Sequence, residues 1–169
     1  MLSLLLHPVR QLFNALAGNE TPRQMALGFT LGMILGMVPK GNLIAVVLLF
    51  VLCALRVNKA AGMMAAALFS AISPLCDPLS HKIGLKLLGQ PGLQESFAWL
   101  YNQPLGPLLG FNNTVTIGSL LLAIYISYPC YYGSLKFFER FGPPIARWIA
   151  RYKLARVLTG AQFAARYQG

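Results

Sequence analysis

Apolar residues come in four long runs in this chain, and nearly every charged residue stands at the edge of a run. Arg23 precedes a run that reaches Val38, and Lys40 follows it. Leu43 to Leu55 forms a second run, closed by Arg56 and Lys59. Ala60 to Leu79 forms a third, and Val115 to Gly133 a fourth. A soluble domain of 169 residues must cover a large surface relative to its volume with polar groups. Here 56% of residues are hydrophobic and 11% charged, against roughly 25% charged in globular chains. The pattern argues against a water-soluble domain. It predicts an all-α, polytopic integral membrane protein, with residues 1–169 as a single membrane domain.

Fourteen Lys and Arg against four Asp and Glu give a net charge of +10. Such a balance suits nucleic acid in principle, but these charges flank apolar runs, as they do in membrane proteins. No nucleic-acid partner is expected. Cys53, Cys76 and Cys130 are odd in number and far apart, which is neither a disulfide framework nor a zinc site. They read as small buried apolar residues. Near the N-terminus, Leu2, Leu5, Leu6, Val9, Leu12, Phe13 and Leu16 fall on one helical face, without the basic flank and long core of a signal peptide. Residues 1–18 therefore read as an interfacial helix.

Within the membrane core (21–133), Thr21-Pro22-Arg23-Gln24 has the form of a capping box with proline at the first helical position. A helix over about 22–38 follows, then the turn Pro39-Lys40-Gly41-Asn42, then a helix over about 43–55. Each is about 15 residues, or about 22 Å, short of a hydrocarbon core of about 30 Å. A tight hairpin, re-entrant or just crossing, is the reading. The runs at about 60–79 and 115–133 are long enough to span. Between them, Gly84 to Phe111 is punctuated by Gly and Pro, and carries an interfacial aromatic cluster of Phe97, Trp99 and Tyr101. Residues 134–169 form a basic amphipathic tail, in which Arg147, Trp148, Arg151 and Arg156 bind the membrane surface.

If the hairpin returns to its starting side, 11 basic residues (Arg10, Arg23, Arg56, Lys59 and seven in the tail) share one side. Lys40, Lys82 and Lys86 are the three on the other. The positive-inside rule then places both termini in the cytoplasm of a multi-pass protein in the bacterial inner (cytoplasmic) membrane. Tyr125, Tyr128, Tyr131 and Tyr132 fit an inner aromatic belt.

Gly28, Gly32 and Gly36 repeat every fourth residue, and Gly62, Ala66 and Ser70 form a matching row. Lipid supplies no hydrophobic drive for helix association, so small residues that let backbones approach serve instead. These faces are expected to pack, within one chain or between copies.

The series Thr21-Pro22, Ala26, Gly28, Gly32, Gly36, Pro39 and Asn58, followed by Ile72-Ser73-Pro74 and Asp77-Pro78, resembles an uncharacterised bacterial membrane-protein family, domain of unknown function two thousand and sixty-two. The resemblance covers about residues 20–84. That family often has Asn-Pro where this chain has Ser73-Pro74. The resemblance implies a small inner-membrane protein, sometimes attached to or encoded beside envelope-building functions, and it brings no activity.

Ionisable residues at membrane depth are the functional candidates. Lys40, with Gly41 and Asn42, stands at a helix N-terminus and suits an anion such as a lipid headgroup; the alternative is a lysine that snorkels to the interface. Asp77, His81 and Lys82 are a candidate ion or proton site, or else solvated interface charge. No carboxylate pair, HExxH motif, nucleophile elbow or nucleotide loop is present. No enzyme, cofactor or metal is expected.

Three functions remain open. The first is a non-catalytic lipid-handling protein, or the membrane subunit of an envelope lipid-handling or transport complex, in contact with anionic lipids. The second is a small oligomeric transporter or channel with a re-entrant hairpin. The third is a scaffold binding a partner's transmembrane helix. A homo-oligomer, or a membrane or periplasmic partner protein, is expected in each.

Overall fold

The computed structural model describes residues 21–151, with side chains to Gly142. The interfacial helix predicted over 1–18 and the surface residue Arg156 lie outside the described residues. Among those described, the chain is all helix: α1 Pro22–Met37, α2 Leu43–Ala54, α3 Lys59–Leu88, α4 Pro91–Tyr101, α5 Gly106–Leu109 and α6 Thr114–Arg151.

The local chemistry sets these boundaries. Thr21 Oγ1 accepts the Gln24 N–H at 3.3 Å, and Gln24 Oε1 accepts the Thr21 N–H at 3.1 Å, which closes the capping box of α1. Val38 turns extended ahead of Pro39, as a residue before proline must. Asn42 caps α2, its Oδ1 accepting the Ala45 N–H at 2.9 Å. Asn58 caps α3 in the same way through the Ala61 N–H at 2.6 Å. Each Asn side chain satisfies a donor that the first helical turn leaves orphaned.

The bundle is held by backbone contact. A Cβ on Gly28 would stand 2.2 Å from the Asn58 carbonyl oxygen, one on Gly32 1.9 Å from that of Gly62, and one on Gly36 2.8 Å from that of Ala66. Both partners advance four residues per step, so α1 and α3 run parallel and nearly in line. Leu52, fully buried on α2, rests against Gly62, which folds α2 back along the pair. On the other side α6 runs antiparallel. A Cβ on Gly84 would lie 1.9 Å from the Thr114 carbonyl oxygen, and one on Gly118 1.8 Å from that of Ser80. Met33, Met37 and Ala123 form the core between α1 and α6, and Met25, Ala26 and Phe138 close its lower end.

Three boundaries depart from the sequence reading. The third apolar run does not stop at Leu79: α3 continues as 30 residues to Leu88, through Pro74 and Pro78. Asp77, which lies between the two prolines, is itself helical. Each proline removes one helical N–H, and the close approach of Gly84 and Ser80 to α6 fixes the helix beyond them. The fourth run does not end at Gly133 either. α6 extends unbroken for 38 residues to Arg151, so residues 134–151 prolong a spanning-length helix rather than begin a separate tail. The Gly/Pro stretch after α3 holds two further helices, α4 and α5, and α4 buries none of its side chains. The hairpin helices end within a residue of the predicted positions. Cys53 is exposed rather than buried, while Cys76 and Cys130 are half-buried.

Candidate functional site

Three places bring chemistry-bearing groups together. The first is the α1–α2 turn. α1 ends with carbonyls that have no helical partner. Lys40 Nζ donates to three of them, Leu35 at 2.7 Å, Gly36 at 3.0 Å and Val38 at 2.8 Å. Ser73 Oγ on α3 donates to the Met37 carbonyl at 3.2 Å, and Ser70 Oγ reaches the Gly36 carbonyl at 3.4 Å. Asn42 Nδ2 donates to the Pro39 carbonyl at 3.0 Å, and Gly41 takes a φ of 97° to close the turn. A cation at a helix C-terminus also meets the negative end of its dipole. The three ammonium protons therefore go to carbonyls. The group acts as a helix cap, and Lys40 and Gly41, where the sequence placed an anion, are exposed at the turn.

The second is the crossing of α3 and α6. His81 Nδ1 lies 2.6 Å from Thr114 Oγ1. Ser80 and Thr116 are buried, and Ser119 Oγ donates to the Thr116 carbonyl at 3.0 Å. Ser80 Oγ is buried with no hydrogen-bond partner. Asp77 is half-buried one turn before His81, and Lys82 is exposed. So the predicted set divides: His81 joins α6, Lys82 is exposed, and the Asp77 carboxylate makes no hydrogen bond among the described residues. No three His, Cys, Asp or Glu side chains converge among the described residues.

The third is an apolar crevice of about 440 Å³ between α1 and α6, lined by Phe29, Cys130, Gly133, Ser134, Phe137 and Phe138. Phe29 meets Phe138 edge-on at 6.3 Å. A Cβ on Gly133 would meet nothing within 4 Å, so the missing side chain is part of the opening. Nothing in the sequence reading pointed here; a lone glycine in an apolar helix among phenylalanines was the available signal.

Two further residues escaped notice as functional. Asn58, fully buried, donates its N–H to the Gln24 carbonyl at 3.1 Å besides capping α3, and so ties the starts of α1 and α3 together. The Gly84 and Gly118 pair seats α3 on α6 as closely as the glycine row seats α1 on α3. Gly28, Gly32, Gly36, Gly62 and Ala66 are all buried inside this one chain. That glycine face is not available to a partner's helix. Arg147, Trp148 and Arg151 lie on the last turns of α6, where the backbone alone is described.

Among the described residues, fold and site together define an all-helical protein with two helices long and apolar enough to cross a membrane, Lys59–Leu88 and Thr114–Gly142. The chain belongs to the family described as "Uncharacterized protein conserved in bacteria" (DUF2062), which matches residues 9–142. It is similar to an "Uncharacterized protein" of Treponema pallidum (strain Nichols), 29% identical over 120 residues, covering 71% of this chain and 74% of that one. No solved structure matches.

Proposed function

We propose that this chain is a non-catalytic protein of the bacterial inner membrane that handles lipid, alone or as the membrane subunit of an envelope complex. The observation that carries the reading is the crevice between α1 and α6. It is walled by four aromatic and sulfur-bearing side chains, opened by Gly133, and lies against helices of membrane-spanning length. Ligand clefts are apolar and concave, and an acyl chain is the apolar ligand a bilayer supplies at every point. The outward faces agree: Phe50 is 71% exposed and Leu75 81%, contacts that favour hydrocarbon over water.

The hairpin fits the same frame. Ser73 touches the end of α1 and lies 14 residues beyond Lys59, about 21 Å along α3. The turn that follows lies against the start of α6, with Asn42 close to Gly110, and Lys40, Ser70 and Ser73 satisfy the last carbonyls of α1 there. Backbone that breaks its helix at membrane depth needs such partners.

The test is photolabelling in inner-membrane vesicles with a phospholipid carrying a diazirine on its acyl chain. Label is expected on the peptide spanning Cys130 to Phe138, and Gly133→Leu, which fills the opening without touching backbone, should remove most of it. Equal labelling of both proteins would sink the reading. The polar groups at the α3–α6 crossing favour a second reading, a small oligomeric transporter; solute flux in proteoliposomes that His81→Ala abolishes would select it.

A further inference from the structure

The crevice between α1 and α6 lies at the basic end of the bundle. Phe29 follows Pro22, the first residue of α1, by seven residues, and Phe138 packs with Met25 and Ala26. The Asn58 N–H bonds to the Gln24 carbonyl, which brings the start of α3 to the same end. Arg23, Arg56, Lys59, Lys136 and Arg140 gather there, and Glu139 is the one described acid among them. Gly133 is exposed and Phe137 is 50% exposed, so the crevice opens on the outer surface of the bundle and not toward its core.

Two of those cations stand on the crevice's own helix. Residues seven apart on a helix return to nearly the same line two turns on. Arg140 is therefore in line with Gly133, about 10 Å further along α6 toward the basic end. Lys136 is one turn beyond Gly133, about 60° to one side, and Glu139 is about 100° around the helix from Arg140. Arg140 and Lys136 are both exposed, and neither makes a hydrogen bond or ion pair among the described residues. Inside the crevice the chemistry is apolar. Ser134 Oγ, its one hydroxyl, donates to the Tyr131 carbonyl at 3.0 Å. The slot can hold hydrocarbon, but what it prefers must be decided at its mouth.

We infer that the crevice is the seat of one anionic phospholipid, its acyl chain between Phe29 and Phe138 and its phosphate on Arg140 and Lys136. The inference rests on the lipid-handling reading above, and adds the class of headgroup and the side chains that select it. An amphiphile with a negative head is the ligand that fills both parts: a soluble anion leaves the apolar slot empty, and an uncharged lipid leaves the cations unmet. The guanidinium of Arg140 offers a planar fork to phosphate oxygens, and Lys136 adds a compact charge beside it. A zwitterionic headgroup carries its own ammonium to the same place, where the two cations repel it.

Two photoreactive lipids in inner-membrane vesicles test it, a phosphatidylglycerol and a phosphatidylethanolamine with the same diazirine-bearing acyl chain. Label on the peptide spanning Cys130 to Phe138 should favour phosphatidylglycerol by about fivefold or more, the factor that one basic side chain contributes beside anionic lipid. Arg140→Gln combined with Lys136→Gln should bring the two lipids level without lowering the label from phosphatidylethanolamine. Lys59→Gln removes an exposed charge at the same end, from a helix that does not line the crevice, and should leave the preference intact. Equal label from both lipids in the unaltered chain overturns the headgroup seat and leaves the acyl crevice standing. So does a preference that survives the double variant, or one that Lys59→Gln lowers as far. A peptide labelled by neither lipid overturns both.

Discussion

Lys40 shows how one side chain's role is decided by what its protons meet. From the sequence it is a cation beside a helix N-terminus; in the fold it is the cap of the preceding helix, with three carbonyls within 3.0 Å. Replacing it by methionine keeps the length of the side chain and strands those carbonyls. Lys40→Met should lower stability by about 1–3 kcal/mol, measured as a lower midpoint in denaturing-detergent titration, with no loss of retained anionic lipid by native mass spectrometry. Selective loss of that lipid would restore the headgroup site instead. The glycines divide as sharply. Gly32→Ala drives a Cβ to 1.9 Å from the Gly62 carbonyl oxygen, whereas Gly133→Ala meets open space. The first should cost about 1–3 kcal/mol or more, and the second should be neutral or stabilising by up to about 1 kcal/mol. Thermal melts of the two variants side by side decide it. The spacing of Gly28, Gly32 and Gly36 was legible in sequence because a four-residue repeat is a helical face. The freedom around Gly133 was not, since its setting among phenylalanines does not say whether another helix lies against it.

At the scale of elements, the starts of α1, α2, α3 and α6 were readable, whereas the ends of α3 and α6 were not. Thr21, Asn42 and Asn58 each satisfy an orphan N–H three residues further on through the side chain, a purely local bond. Where a helix stops depends on what it packs against. Pro78 and Gly133 stand at or beside the ends of the third and fourth apolar runs, yet both lie inside helices that α3 and α6 extend along each other. If tertiary contact rather than the proline itself controls α3, then Pro78→Ala should retain the fold. By returning an N–H to the Pro74 carbonyl it should raise stability by about 0.5–1.5 kcal/mol, seen as a higher melting temperature. A lower one would mean that the bundle needs the break in the ladder. Gly118→Ala acts in the opposite sense. Its Cβ would press on the Ser80 carbonyl at 1.8 Å, separate α3 from α6 and speed amide exchange around His81 and Thr114.

The whole molecule sets α1, α2, α3 and α6 up, down, up and down, so Arg23, Arg56, Lys59, Lys136 and Arg140 gather at one end. A periplasmic reporter such as alkaline phosphatase fused at Gln103 should be active, and one fused at Arg56 inactive. Activity reversed between the two would turn the bundle over. The crevice and the capped end of α1 exist at this scale alone, because each combines residues from helices distant in sequence.

The sequence by itself determined that the chain is helical, where its helices begin, and which small residues share a face, since all three follow from hydrogen bonds and periodicities spanning a few residues. Tertiary structure decided which of those faces meet. The glycine row of α1 is filled by α3 of the same chain, Lys40 is turned onto carbonyls of α1, and Tyr125 and Tyr128 of α6 are left facing outward. Those outcomes turn on backbone separations of a few ångströms between helices, a quantity that no local pattern of residues encodes.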